Sequence, residues 1–159
     1  MADEDRCYAA ALRLLNHRFN SVEELRRKLR SKRFEDAAIA STIERLTREK
    51  WLDDQRYAAA FARTRSSRGI GSNRIRQELI SAGVDREIAQ AALTANADQE
   101  RDQERLEATV KKKRAALERR HGEGYVRTRE GRQKLLAQMV RLGYDANAVM
   151  VLLDRRDDT

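Results

Sequence analysis

Three apolar triplets recur along the chain with one spacing: Leu25, Leu29 and Phe34; Ile75, Leu79 and Val84; Leu135, Met139 and Tyr144. A step of four places two side chains on one face of a helix, and the further step of five holds the turn into a second helix. That second helix follows each time, with Asp36 before Ile39, Ile43 and Leu46, Asp85 before Ile88 and Ala92, and Asp145 before Val149 and Leu153. Gly83 and Gly143 occupy equivalent turn positions, where a positive φ ends a helix without a Cβ clash, while the first copy has Arg33 there. Ser21-Val22-Glu23-Glu24 reads as a capping box, and Gly71 and Gly131 take the place of Ser21 in the other copies. A longer helix precedes each pair, predicted over Arg6 to Phe19, Asp54 to about Arg68, and roughly Asp98 to Arg120.

The pattern therefore predicts three tandem three-helix repeats, helix-turn-helix-like, at residues 1–52, 53–95 and 96–159. Composition agrees with an all-α chain. There is no proline, there are seven glycines, and aromatics are only 5% against 40% hydrophobic residues overall, so few breakers exist to bound short strands. Each copy holds few large apolar residues, worth about 1.5–3 kcal/mol apiece when buried, against roughly 1–2 kcal/mol per residue of ordering cost. One copy alone is marginal, and stacking of neighbours into an elongated, curved body supplies the missing burial. A monomer is the default, and exchange of a helix into a dimer is open to such a chain.

Charge narrows the function classes. Lys and Arg number 34 against 26 acidic residues, a formal net charge of +8, which suits a polyanionic partner without choosing among nucleic acid, membrane and acidic protein. No apolar run approaches the roughly 18 residues that span a bilayer, and the acidic start is unlike a signal peptide, so a cytoplasmic protein with no membrane partner is expected. Cys7 is the single cysteine and reads as a small buried hydrophobe. His17 and His121 have no ligand pattern around them, and Gly69-Ile70-Gly71 lacks both the preceding strand and the Gly-Lys-Ser/Thr of a phosphate loop. Neither a catalytic residue, a metal site nor a cofactor is expected.

Three basic clusters are the binding candidates: Arg26, Arg27, Lys28, Arg30, Lys32 and Arg33; Arg63, Arg65, Arg68, Arg74 and Arg76; and Lys111, Lys112, Lys113 and Arg114. Each has few or no acids in its own run, although helices also carry Arg and Lys for solubility. Structural roles fall to Gly69, Gly71, Gly83 and Gly143 at turns, to Tyr57 and Phe61 on one helix face, and to Trp51 as a wedge between the first two copies. A sequence-specific DNA-binding reading, with a helix of the Ser72–Leu93 pair in the major groove, is the alternative. The second helix of that pair, Arg86-Glu87-Ile88-Ala89-Gln90-Ala91-Ala92, offers little to read base edges.

Particular residues resemble the RecX regulatory proteins. Ala11-Leu12-Arg13-Leu14-Leu15, Ser21-Val22-Glu23-Glu24-Leu25 and Lys28-Leu29 look like the opening helices of that family. More specific are Leu52-Asp53-Asp54, Tyr57-Ala58, Phe61-Ala62-Arg63, Arg68-Gly69-Ile70-Gly71, Arg74-Ile75-Arg76-Gln77-Glu78-Leu79 and Gly83-Val84-Asp85. The resemblance implies three tandem three-helix repeats that lie in the groove of a RecA filament on single-stranded DNA. It also implies restraint of RecA's ATPase, strand exchange and coprotease activities, and so a hand in recombinational repair and the SOS response. Of the basic residues, Arg63, Arg68, Arg74 and Arg76 match the family's motif, as do Gly69 and Gly71; Arg65, the first cluster and Lys111 to Arg114 stand on charge alone.

Overall fold

A computed structural model describes residues 1–157, and within them the regular structure is entirely helical. Three times a longer helix is followed by two shorter ones: α1 (Ala2–His17), α2 (Val22–Ser31) and α3 (Asp36–Arg48); α4 (Asp54–Ser67), α5 (Ser72–Ser81) and α6 (Arg86–Asn96); α7 (Gln99–His121), α8 (Arg129–Arg141) and α9 (Ala146–Asp157). A 3-10 turn, Tyr125–Arg127, leads into α8.

The step of five in the apolar triplets has a definite backbone origin. The amides of Phe34, Val84 and Tyr144 donate to the carbonyls of Leu29, Leu79 and Met139, five residues back, at 3.4, 3.0 and 3.2 Å. Inside each of these bonds a second one runs three residues back, from Arg33 to Arg30, from Gly83 to Ile80 and from Gly143 to Val140. This is the Schellman ending, which brings the last apolar residue onto the one five before it. Arg33 keeps the left-handed conformation its glycine counterparts adopt, with φ of 66°. A Cβ is costly there, so Arg33→Gly is expected to stabilise the protein by about 1 kcal/mol. Urea denaturation checks it, and an unchanged or lowered midpoint would show that the arginine side chain offsets its own strain.

Helix starts differ more than the sequence pattern suggests. Ser21 forms the expected capping box, its hydroxyl accepting from Glu24 N–H at 3.1 Å while the Glu24 carboxylate accepts from Ser21 N–H at 3.3 Å. In α8, by contrast, the cap is Thr128, which accepts from Gly131 N–H at 3.1 Å. Gly131 therefore lies inside the helix and does not play the part of Ser21, because α8 begins a turn earlier than α2. The first helix also ends before its predicted limit. Arg18 is fully extended after His17, which swings Phe19 out of the helix.

The chain divides into two compact units, residues 1–61 with 78–92, and residues 62–77 with 93–159. The predicted segment 53–95 thus contributes residues to both. In the first unit Cys7, Ala10 and Ala11 of α1 meet Leu25 and Leu29 of α2 and Ile39, Ile43 and Leu46 of α3 in one core. Burial pushes the Cys7 thiol up, away from the thiolate a nucleophile needs. In the second unit Leu106, Val110 and Leu117 of α7 pack on Leu135 and Met139 of α8 and Val149, Leu152 and Leu153 of α9.

Each unit contains one tight junction, and the two are built on the same register. In the first, Ser21 Oγ donates to the carbonyl of Ala82, the residue before Gly83. In the second, the Gly71 amide itself donates to the carbonyl of Leu142, the residue before Gly143, at 2.8 Å, and Asn73 N–H donates to Gly143 O at 3.1 Å. Serine reaches its carbonyl with a side chain, whereas glycine brings the backbone into direct contact. A Cβ on Gly71 would lie 2.3 Å from the carbonyl carbon of Gly143.

Candidate partner-binding surface

Three arginines of the first basic cluster have acidic partners within their own unit. Arg26 and Arg27 both pair with Glu23, at 2.7 and 3.5 Å, and Arg30 pairs with Asp36 at 3.0 Å. Arg27 also donates to Ser81 O at 3.0 Å. Lys28 donates to Asn20 Oδ1, and its ammonium is lowered below the usual range by burial and the nearby Arg18. The sequence placed these arginines together with few acids in the run; the fold supplies Glu23 from the preceding turn and Asp36 from α3.

The second and third clusters fall in one compact unit. Arg76 donates to Asn73 Oδ1 at 3.0 Å, Arg65 is half-buried, and Arg63 and Arg68 are exposed with no ion pair among the described residues. The Lys111–Arg114 run is dispersed by the helical twist, since four consecutive residues point around the whole of α7. Arg114 pairs with Glu118 at 3.3 Å, Lys111 and Lys112 face solvent, and Lys113 alone enters a cleft.

That open cleft, about 480 Å³, is walled by three helices of the second unit. From α7 come Lys113, Ala116, Leu117 and Arg120; from the end of α8 come Gln138, Arg141 and Leu142; from the first turn of α5 comes Arg74. The spacing of the α7 residues, i, i+3, i+4 and i+7, is that of one helical face. Arg74 is held in place by the glycine junction, because its backbone N and Cβ lie 2.5 Å from where a Cβ on Gly143 would stand. Arg120, Gln138 and Arg141 were not singled out by charge clustering. A count of i+7 steps from Lys113 reaches Arg120, but Arg141 joins only through tertiary packing.

Two aromatic side chains of the first unit face solvent. Trp51 is 50% exposed and is not a wedge between the first copies. Lys50 takes a φ of 63°, and the Trp51 amide donates back to Leu46 O at 2.9 Å, which turns the indole outward while Leu52 enters the core. Phe19 is 63% exposed. The Arg56 guanidinium lies 5.9 Å from the Phe19 ring centre and donates to Lys50 O at 3.0 Å, so it stands between the two aromatic positions. Tyr57, on the same helix as Arg56, is buried with its ring stacked on Phe61 at 5.8 Å, and desolvation pushes its hydroxyl up to about 12.

Among the described residues no helix is long and apolar enough to cross a membrane. Two family models match the chain, the first three-helix domain of RecX over residues 7–46 and the second three-helix domain of RecX over residues 53–93. The regulatory protein RecX of Xanthomonas axonopodis pv. citri is 37% identical over 140 residues, 87% of this chain and 80% of that one. The RecX of Oceanobacillus iheyensis is 28% identical over 159 residues, 97% of this chain and 54% of that one. In fold, the crystal structure of RecX from Lactobacillus salivarius superposes with a TM-score of 0.80 at 23% identity, covering 99% of each chain.

Proposed function

The chain belongs to the RecX family of regulatory proteins, and from that premise we propose that it is a cytoplasmic regulator that binds the RecA filament on single-stranded DNA. Bound there, it restrains ATP hydrolysis, strand exchange and coprotease activity, and through them recombinational repair and the SOS response. Family membership is the observation that carries the reading. The exposed cations Arg63, Arg68, Arg120 and Arg141 of the second unit and the exposed aromatic pair of the first support it, since a regulator acting by occlusion needs surfaces for a partner and no reacting groups. Several weak contacts on neighbouring subunits of one filament add up through effective concentration.

The test is RecA's DNA-dependent ATPase, measured with the protein at substoichiometric and equimolar ratios. Inhibition is expected below one molecule per RecA subunit; an unaffected ATPase, with RecA from the same organism, would sink the reading. Tryptophan and arginine anchor protein interfaces more often than other residues. Trp51→Ala is therefore expected to raise the half-inhibitory concentration roughly fivefold with little change in melting temperature. Equal inhibition by this variant would remove the indole from the contact.

A further inference from the structure

The cleft of the second unit has a composition that the fold alone does not explain. Four cations, Arg74, Lys113, Arg120 and Arg141, line it together with Gln138, and no carboxylate does. Lys113, Arg120 and Arg141 form no ion pair among the described residues, although Arg114 on the same helix finds Glu118. These three like charges, converging on one concavity, repel and destabilise the protein unless an anion enters. The apolar part of the lining is Ala116, Leu117 and Leu142.

We propose that this cleft seats the sugar-phosphate backbone of single-stranded nucleic acid, with Lys113, Arg120 and Arg141 on the phosphates, Gln138 as a neutral donor and the apolar lining under a sugar or base. The assignment rests on the reading above, in which the chain works on single-stranded DNA, and names the surface that meets the strand. The volume lies in the range of ligand clefts, roughly 300–1,000 Å³, and because the cleft is open a strand can cross it with its phosphates along the rim. A rigid duplex carries its phosphates on the outside of a broad cylinder and does not enter a concavity between helices, whereas a flexible single strand does. No aromatic side chain lines the cleft, so binding there is indifferent to sequence and sensitive to salt.

Fluorescence anisotropy of a labelled oligothymidylate with the full chain tests this between about 50 and 200 mM salt. The triple variant Lys113→Gln, Arg120→Gln, Arg141→Gln is expected to bind at least tenfold more weakly and to flatten the salt dependence by about two logarithmic units of slope. A control with the same loss of charge outside the cleft, Lys111→Gln, Lys112→Gln, Arg119→Gln, is expected to lose less than about threefold. Equal losses in the two triples overturn the cleft. If the first triple fails to fold, Arg120→Gln and Arg141→Gln are read singly against Arg119→Gln by the same criterion. Inorganic triphosphate separates two sources of phosphate: displacement of the oligonucleotide only as far as ionic strength predicts supports the polymer backbone, and tight stoichiometric competition overturns it in favour of a free nucleotide. The RecA ATPase assay on the same proteins separates this proposal from the filament reading. Normal oligonucleotide binding by the cleft triple with lost inhibition overturns the nucleic-acid assignment and leaves the regulator standing. Cleft-dependent oligonucleotide binding by a wild-type protein that leaves RecA unaffected supports the cleft and sinks the regulator.

Discussion

Alanine at position 71 is expected to destabilise the protein by about 3 kcal/mol and to lower its melting temperature by roughly 6–12 °C. The added methyl would stand 2.3 Å from the Gly143 carbonyl carbon, 2.4 Å from its oxygen and 2.5 Å from Tyr144 N. All three are backbone atoms, so no side chain can rotate away. To admit it, the start of α5 must withdraw from the turn after α8, which breaks the bonds from Gly71 and Asn73 to Leu142 O and Gly143 O. Buried carbonyls left without donors add their own penalty. Arg74 withdraws with the backbone, so oligonucleotide binding weakens together with stability. Differential scanning calorimetry beside Ser72→Ala, an exposed neighbour, measures the effect. A melting temperature within about 2 °C of wild type would show that the junction is not close-packed.

The equivalent junction in the first unit should fail for the opposite reason, by loss of a group instead of insertion of one. Ser21→Ala is expected to cost about 2–3 kcal/mol. The hydroxyl is fully buried and serves two partners, accepting from Glu24 N–H and donating to Ala82 O. Its removal uncaps α2 and strands a carbonyl that water cannot easily reach. Ser21→Thr keeps both bonds and separates hydroxyl loss from any other change at the site. If the alanine variant melts with the wild type, the hydroxyl contributes nothing net, and the cap is supplied by Asp54, whose carboxylate accepts from Val22 N–H at 2.9 Å.

The helical repeat was legible because its spacing is a backbone fact. Steps of four and five are a helical turn and a Schellman ending, and both leave their mark on apolar residues whatever else the chain does. Arg33 shows the limit of reading turns by residue type: it breaks the glycine pattern yet keeps the glycine backbone, because the flanking bonds from Arg33 and Phe34 fix the geometry. Gly131 shows the reverse, the same register as Ser21 with a different backbone role, since Thr128 starts α8 earlier. The candidate surface was less legible. A run such as Lys111 to Arg114 is one cluster in sequence and four directions in space, and the acids that neutralise Arg26, Arg27 and Arg30 belong to neighbouring turns. Arg141 enters the cleft only because two glycines allow α5 and α8 to meet. Trp51 was misplaced because its outward direction depends on the positive φ of Lys50, a lysine that announces no such turn.

The start of α8 carries one more implication. At the position where Ser21 and Gly71 each receive a following turn, Gly131 is already covered: a Cβ there would lie 2.1 Å from Tyr125 O, in the chain's own 3-10 turn. The room that Ser21 and Gly71 give to a later turn is filled at Gly131 by the 3-10 turn just before α8. A side chain at 131 would therefore meet the protein's own backbone, so Gly131→Ala strains the lead-in to α8 and leaves the Ser21 and Gly71 junctions untouched.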